Sequence, residues 1–342
     1  MKENSKTSKN TYPFVTIVVI GRNESDNLDA TFKAIYNMDY PLSRLEVLYV
    51  DTNSSDQSVE VARKYTPRVF EEHSSWPSSG LARNRGVMES NYDIVHFVDG
   101  DIAIDPNYLK KAVKKIVQPE VDAVTGYFEE RDTHSFFNRI MTIRRDEINY
   151  TEHYCDATNG GGTYLKAALE EVNGYDERIL KGQESELGYR FRQAGYKILF
   201  IDAVQGTHNF DLNGPGDFFK SKYVYGKSFG FLLKQKNDLN PMIQSLKKTA
   251  TKMLISNTTS LSLILLGLIT GLYWIIPLYY FMRISYFYIS NKILKKRTSR
   301  QLAYSFIQYL FSVAVFLGIL SVLLNPRHQN VKKQSLKVSA VW

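Results

Sequence analysis

Apolar positions fall into two regimes along the chain. Up to about residue 215, short apolar runs alternate with amphipathic stretches; beyond it the apolar runs lengthen and lose their charges. In the first regime Val15–Ile20, Leu45–Val50, Val69–Glu71, Ile94–Val98, Val121–Tyr127 and Lys197–Ile201 predict strands. Ser25–Asn37, Asp56–Tyr65, Leu81–Glu89 and Asn107–Val117 carry helical spacing and helix-start residues. Strand–helix alternation of this kind predicts an α/β domain, with a mostly parallel sheet covered by helices on both faces. Ligands of such sheets bind outside the carboxyl ends of the strands.

In the second regime Met253–Met282 and Ala303–Leu324 contain no charged residue. Each exceeds the roughly 20 residues that a membrane-spanning helix requires. Gly271 and Pro277 mark a candidate break in the first run, so 253–324 predicts two or three transmembrane helices. The Lys295-Lys296-Arg297 cluster favours three spans and the basic tail, 325–342, favours two. Residues 216–252 mix lysines with Phe218, Phe219, Tyr223, Tyr225, Phe229 and Phe231, a composition suited to a membrane interface. Residues 1–11 are polar and predict a disordered N-terminus, leaving 12–215 as the globular domain. No signal-peptide pattern precedes that domain, so the expected location is the cell membrane, multi-pass, with the globular part cytoplasmic.

The net charge is +8, but the excess lies beside the apolar runs. Membrane lipids are therefore the expected partner of the basic residues, and nucleic acid is not. Cys155 is the single cysteine, which excludes an internal disulfide. No G-x-G-x-x-G follows the first strand, which argues against a dinucleotide-dependent oxidoreductase.

Candidate chemistry gathers where strands end. Asp51 closes one apolar strand, a place where a carboxylate can accept from a nucleobase or ribose; Asp56, five residues on, reads first as a helix cap. Asp99-Gly100-Asp101 follows another strand, and a turn at Gly100 lets both acids reach one hard cation, Mg²⁺ or Mn²⁺. Gly80-Leu81-Ala82-Arg83 opens a helix with a basic side chain suited to phosphate. Asn159-Gly160-Gly161-Gly162 is a flexible loop able to floor a pocket, and Glu184 stands at a helix start, where it can serve as a general base or simply complement the helix dipole. His208 is a candidate metal or phosphate contact.

Together, in this order, Phe14–Ile20 with Arg22-Asn23-Glu24, Val50-Asp51, Gly80 with Ala82-Arg83-Asn84, Asp99-Gly100-Asp101 and Gln183-Glu184 with Glu186-Leu187 resemble the family-2 glycosyltransferases of the GT-A fold. The succinoglycan-biosynthesis type is most similar: it shares the Asn173-Gly174-Tyr175-Asp176-Glu177 segment, the run at 190–198 and Tyr225-Gly226-Lys227 before C-terminal membrane helices. The resemblance implies an inverting transferase that takes a sugar from a nucleotide-sugar donor, a UDP-sugar in the first instance, and passes it to a saccharide or lipid-linked acceptor in polysaccharide synthesis. It implies donor contacts from Asp51, Arg22, Asn23, Glu24, Arg83, Asp99 and Gly100. The metal falls to Asp99, Asp101 and His208, the base to Glu184, and acceptor-side contacts to Gly161, Gly162, Gln183 and Glu186. Two departures stand out: Gln183-Glu184 replaces the usual Glu-Asp, and Thr52-Asn53 replaces Asp-Gly after Asp51. They keep open a polyprenyl-phosphate sugar synthase, which needs no base, and an inactive membrane-docked nucleotide-sugar-binding protein. A processive synthase is disfavoured, because none of Trp76, Trp274 and Trp342 sits in a Gln-x-x-Arg-Trp element.

Overall fold

The computed structural model describes residues 12–130, 150–208, 215–234, 241–272, 274, 277–282, 285 and 301–324. The expected disordered N-terminus, the Lys295-Lys296-Arg297 cluster and the basic tail lie outside them. The strands are β1 (Val15–Gly21), β2 (Leu45–Asp51), β3 (Val69–Glu71), β4 (Ile94–Asp99), β5 (Ile102–Ile104), β6 (Ala123–Glu130), β7 (His153–Cys155), β8 (Thr163–Leu165) and β9 (Ile198–His208). They form one sheet in the order β3-β2-β1-β4-β8-β6-β9-β5, with β7 also on β9.

Every predicted strand is present, but the sheet is mixed rather than mostly parallel. β3, β2, β1 and β4 run parallel. β8 then pairs antiparallel with both β4 and β6, and β9 takes β6 parallel but β5 and β7 antiparallel. The reversing strands are three residues long. A strand that short carries no period to read, and antiparallel neighbours need no crossover helix to announce them.

β1 shows why both faces are covered. Val15, Ile17 and Val19 meet Leu28, Phe32 and Ile35 of helix α1 (Leu28–Tyr36), in a core shared with α2 (Ser58–Arg63) and α4 (Tyr108–Ile116). Val18 and Ile20 face the other way, toward Ala82 and Val87 of α3 (Ser79–Glu89), beside α5 (Lys166–Glu171) and α6 (Gln183–Gln193). Gly86 lets α3 lie directly on the sheet, since a methyl group there would stand 2.2 Å from Val18 Cγ1.

Three longer helices follow: α7 (Pro215–Lys234), α8 (Pro241–Thr270) and α9 (Gln301–Leu323). α7 and α9 cross at two glycines; a methyl on Gly226 would lie 2.1 Å from the Val315 carbonyl oxygen, and one on Gly318 2.1 Å from that of Tyr223. α7 also docks on the α/β domain. Phe231 is fully buried against Trp76, ring centroids 5.0 Å apart, and Leu232 joins Ile179 and Ile243 in a small core. Part of the aromatic content of 216–252 is therefore domain packing. Among the described residues, one stretch, Ile243–Thr270, is long and apolar enough to cross a membrane, and it begins ten residues before the expected 253; Ser312–Leu323 is a shorter apolar helix. α8 stops at Gly271, whose φ is 72°, the left-handed geometry of a helix end.

Candidate active site

Register places the site. Gly21 pairs with Asp51 across β1 and β2, and Ile20 with Asp99 across β1 and β4, so three adjacent strands end level. The loops leaving them border a cleft of about 440 Å³, lined by Arg22, Glu24, Thr52, Asp99, Gly100 and Asp101. Its other walls are residues 75–79, Leu180 and Lys181 before α6, and Val224 and Lys227 of α7.

The first two loops brace each other. Asn23 and Asn53 both take left-handed backbone, φ 57° and 66°, a conformation asparagine tolerates better than most residues. Asn23 Oδ1 accepts from Ser55 N at 2.8 Å, and Asn23 N donates to Ser54 Oγ at 2.8 Å. Asp51 is buried; its carboxylate accepts from Ser54 N at 2.8 Å, from Ser54 Oγ, and from the Tyr49 hydroxyl at 3.1 Å. Asp51 thus holds the loop together, and Thr52 rather than Asp51 lines the cleft. Asp56, expected as the cap of α2, stands one residue before the Gln57 cap position and accepts from Ser25 N at 3.1 Å and Ser58 N at 3.0 Å.

The acids come next. Gly100 N donates to Ile20 O at 2.8 Å and its carbonyl accepts from Thr31 Oγ1 at 2.8 Å; a methyl group on Gly100 would stand 3.1 Å from Glu24 Cγ. Glycine there brings Glu24 beside Asp99 and Asp101. Burial pushes the Glu24 carboxyl up to about 7; the Asn27 amide opposes this, and the charges of Asp101 and Asp99 reinforce it. His208, at the end of β9, holds Nε2 3.3 Å from Asp101 Oδ2. Among the described residues, no three such groups are close enough to hold an ion by themselves. Asp101, which lines the cleft, and His208 beside it nevertheless offer an oxygen and a nitrogen. That donor set would fit a divalent cation such as Mg²⁺ or Mn²⁺.

Arg83 binds the halves of the site together. Its side chain is 2% exposed. One terminal nitrogen donates to Asp99 Oδ1 at 2.9 Å and to Gly160 O at 3.0 Å; the other donates to Glu184 Oε1 at 2.9 Å and to Gln183 Oε1 at 3.3 Å. Its guanidinium carbon lies 5.2 Å from the centre of the Tyr175 ring. Glu184 therefore stands at the first turn of α6 with one oxygen on the same guanidinium that holds Asp99.

The remaining residues expected at the site make the following contacts within the fold. Gln183 is buried and accepts from Ser79 Oγ at 3.1 Å while donating to Ile179 O. Glu186 is buried in a two-pronged pair with Arg190, at 2.7 and 2.6 Å. Gly161 and Gly162 are buried beneath Phe128 and Tyr164; only Gly160 approaches the acids, where a methyl would stand 2.8 Å from Asp99 Oδ2. Burial raises the Cys155 thiol pKa, the reverse of activation for attack. The cleft also contains Trp76, Lys181 and Lys227, which the sequence reading did not assign to it. Lys181 precedes the Gly182-Gln183-Glu184 segment and Lys227 closes Tyr225-Gly226-Lys227, but nothing in the linear order brings them together.

Residues 16–171 match Glycosyl transferase family 2. Glycosyltransferase AglE of Haloferax volcanii is 27% identical over 229 residues, 64% of this chain and 73% of that protein. Succinoglycan biosynthesis protein ExoA of Rhizobium meliloti is 24% identical over 199 residues, 54% of this chain and 60% of that one. Against three further relatives the match spans half or less of their length. Mannosyltransferase PcManGT of Pyrobaculum calidifontis, solved with GDP-Man and Mn²⁺, shares the fold with a TM-score of 0.58 at 18% identity, over 92% of this chain and 91% of that one. The strand ends, the paired acids around Gly100 and these matches lead to one conclusion: over residues 16–171 the chain is similar to Glycosyl transferase family 2, and its α/β fold, with a mixed sheet, is of the GT-A type.

Proposed function

We propose that the chain is an inverting glycosyltransferase that moves a sugar from a nucleotide-sugar donor, a UDP-sugar in the first instance, to a saccharide acceptor carried on a lipid at the membrane. The observation that carries this reading is the Arg83 bridge, which fixes Asp99 and Glu184 on two arms of one guanidinium at the edge of the strand-end cleft.

Asp101 and His208, with Asp99 beside them, would hold Mg²⁺ or Mn²⁺, whose charge would offset that developing on the departing diphosphate. The GDP-Man and Mn²⁺ bound in the Pyrobaculum calidifontis mannosyltransferase support a nucleotide-sugar donor. Arg83 orients the Glu184 carboxylate, and Glu184 takes the proton of the acceptor hydroxyl as it attacks the anomeric carbon from the face opposite the diphosphate. The apolar helix Ile243–Thr270 supports a membrane-held acceptor.

Two substitutions test the scheme. Asp101→Ala should abolish metal-dependent donor hydrolysis and transfer; full activity of that variant in EDTA would remove the metal role. Glu184→Gln should bind the nucleotide as before and lose roughly 10² to 10⁴-fold in turnover, the usual share of a general base. An unchanged rate would instead favour an acceptor already ionised, such as a lipid phosphate.

A further inference from the structure

Two lysines in the cleft have no part in the scheme above. Lys181 belongs to the loop leading into α6 and Lys227 to the middle of α7. Neither forms an ion pair with a carboxylate among the described residues. Lys227 Nζ lies 5.7 Å from the centre of the Tyr223 ring, a contact that leaves its N–H groups free to donate.

Their neighbours join the two segments that bring them to one cleft. Ser228 is buried, and its hydroxyl accepts from Leu180 N at 3.1 Å and Lys181 N at 3.2 Å. The residue after one lysine is thus bonded to the backbone of the other. Gly226, the residue before Lys227, is pressed against Val315 and Gly318 of α9. Three consecutive residues of one helix turn therefore point three ways: Gly226 to α9, Ser228 to the α6 loop and Lys227 into the cleft. Among the described residues, the acids that line the same cleft come from the strand-end loops, as Glu24, Asp99 and Asp101. Like charges held together without a counterion repel, and an anion that meets both relieves the repulsion. Lysine serves phosphate as a flexible point charge with three donors.

We propose that Lys181 and Lys227 form a phosphate-binding pair on the α7 side of the cleft, separate from the acids that would hold a cation. The pair receives a phosphate group of a substrate, either the donor's diphosphate or a phosphate on the acceptor; that it is a substrate rests on the transferase reading, while the site itself does not. The test uses the full chain in detergent. Titration with inorganic pyrophosphate in EDTA, which removes any metal route, should show binding that weakens about tenfold or more in Lys181→Gln/Lys227→Gln, the loss expected for charge-assisted hydrogen bonds. Lys227→Arg keeps the charge and should retain most of the affinity, and an unchanged unfolding temperature in each variant excludes a folding defect. Absence of pyrophosphate binding in the wild type, or equal affinity in the double variant, overturns the site. Two further titrations identify the source. Weaker binding of UDP or GDP with Mn²⁺ assigns the pair to the donor; weaker binding of farnesyl monophosphate, with the nucleotides unaffected, assigns it to a phosphate-bearing acceptor. A chain that binds pyrophosphate through these lysines but never hydrolyses a nucleotide sugar keeps the site and sinks the transferase reading.

Discussion

Arg83 is the residue on which the site turns. A charge this deeply buried is tolerated only when its partners are fixed, and here they are two acids, a carbonyl and an amide. Lysine cannot span the two arms, because its donors radiate from a single nitrogen. Arg83→Lys should therefore lower turnover by about 10²-fold, the cost of an ångström-scale misplacement, while nucleotide affinity holds; steady-state kinetics beside equilibrium binding will show the split, and equal losses in both would mean that Arg83 contacts the donor directly. Glu24 gives a second prediction. Its carboxyl, pushed up to about 7, is neutral below that pH and adds a third negative charge beside Asp99 and Asp101 above it. Mn²⁺ affinity should climb as pH rises through about 7, with a proton released on binding, and Glu24→Gln should flatten the climb. Manganese titrations followed by electron paramagnetic resonance read this directly, and an undiminished climb in the variant would exonerate Glu24. Asp99 and Asp101 were legible as candidates because a polar residue at the end of an apolar run marks a strand terminus, and Arg83 and Glu184 because each stands near the start of a helix. The orientation of Asp51, Gln183 and Glu186 was not. Which way a side chain leaves a strand end or a helix turn depends on what packs beneath it, and the partners that turn these three inward, Ser54, Ser79 and Arg190, include residues far off in the chain.

At the scale of elements, glycine decides the close approaches. Gly86 seats α3 on β1, and the pair Gly226 and Gly318 lets α7 and α9 touch backbone to backbone. A side chain at either crossing glycine forces the helices apart. Gly226→Ala should cost on the order of 1–3 kcal/mol, the range for overpacking a closed contact. Because α7 also carries Phe231 against Trp76, its displacement should redden the Trp76 emission in a protein whose Trp274 and Trp342 are replaced by Phe. An unaltered melting curve and spectrum would mean that the crossing yields without strain. The strand positions and α1 to α4 were readable from period, to within a few residues at their ends except for β9, which runs on to His208 past the expected end at 201, since each buries one regular face. The short β5, β7 and β8 were not, and with them went the direction of half the sheet. Three residues pair because β4, β6 and β9 already stand beside them, so their cause lies in the fold and not in their own composition.

Across the whole molecule, the anchor and the cleft share a joint. Ile243, in the first turn of α8, is buried with Ile179 and Leu232, and Ile179 stands two residues before Lys181. The helix that would enter a bilayer thus begins against the loop that leads to Glu184. Further along α8, Leu261, Leu265, Leu268 and Ile269 are exposed, Ile269 by 82%. With Leu266, also exposed, that makes five large apolar side chains facing outward within nine residues, a surface that soluble proteins avoid. If this face meets lipid, Leu265→Asp/Ile269→Asp should release the chain from vesicles, since each acid at bilayer depth costs about 2.5–3.5 kcal/mol. The release should occur in high and low salt alike, because burial of apolar surface is not screened. Replacing Lys247 and Lys248 by Gln should instead weaken attachment at low salt only, as expected of cations near anionic headgroups. Flotation with vesicles that contain anionic lipid, at two salt concentrations, separates these contributions. Because neither acid substitution touches the joint at Ile243, donor hydrolysis should survive in the released protein while transfer to a lipid-borne acceptor fails. A released chain that still transfers to such an acceptor at the full rate would show that the acceptor reaches the cleft without the bilayer.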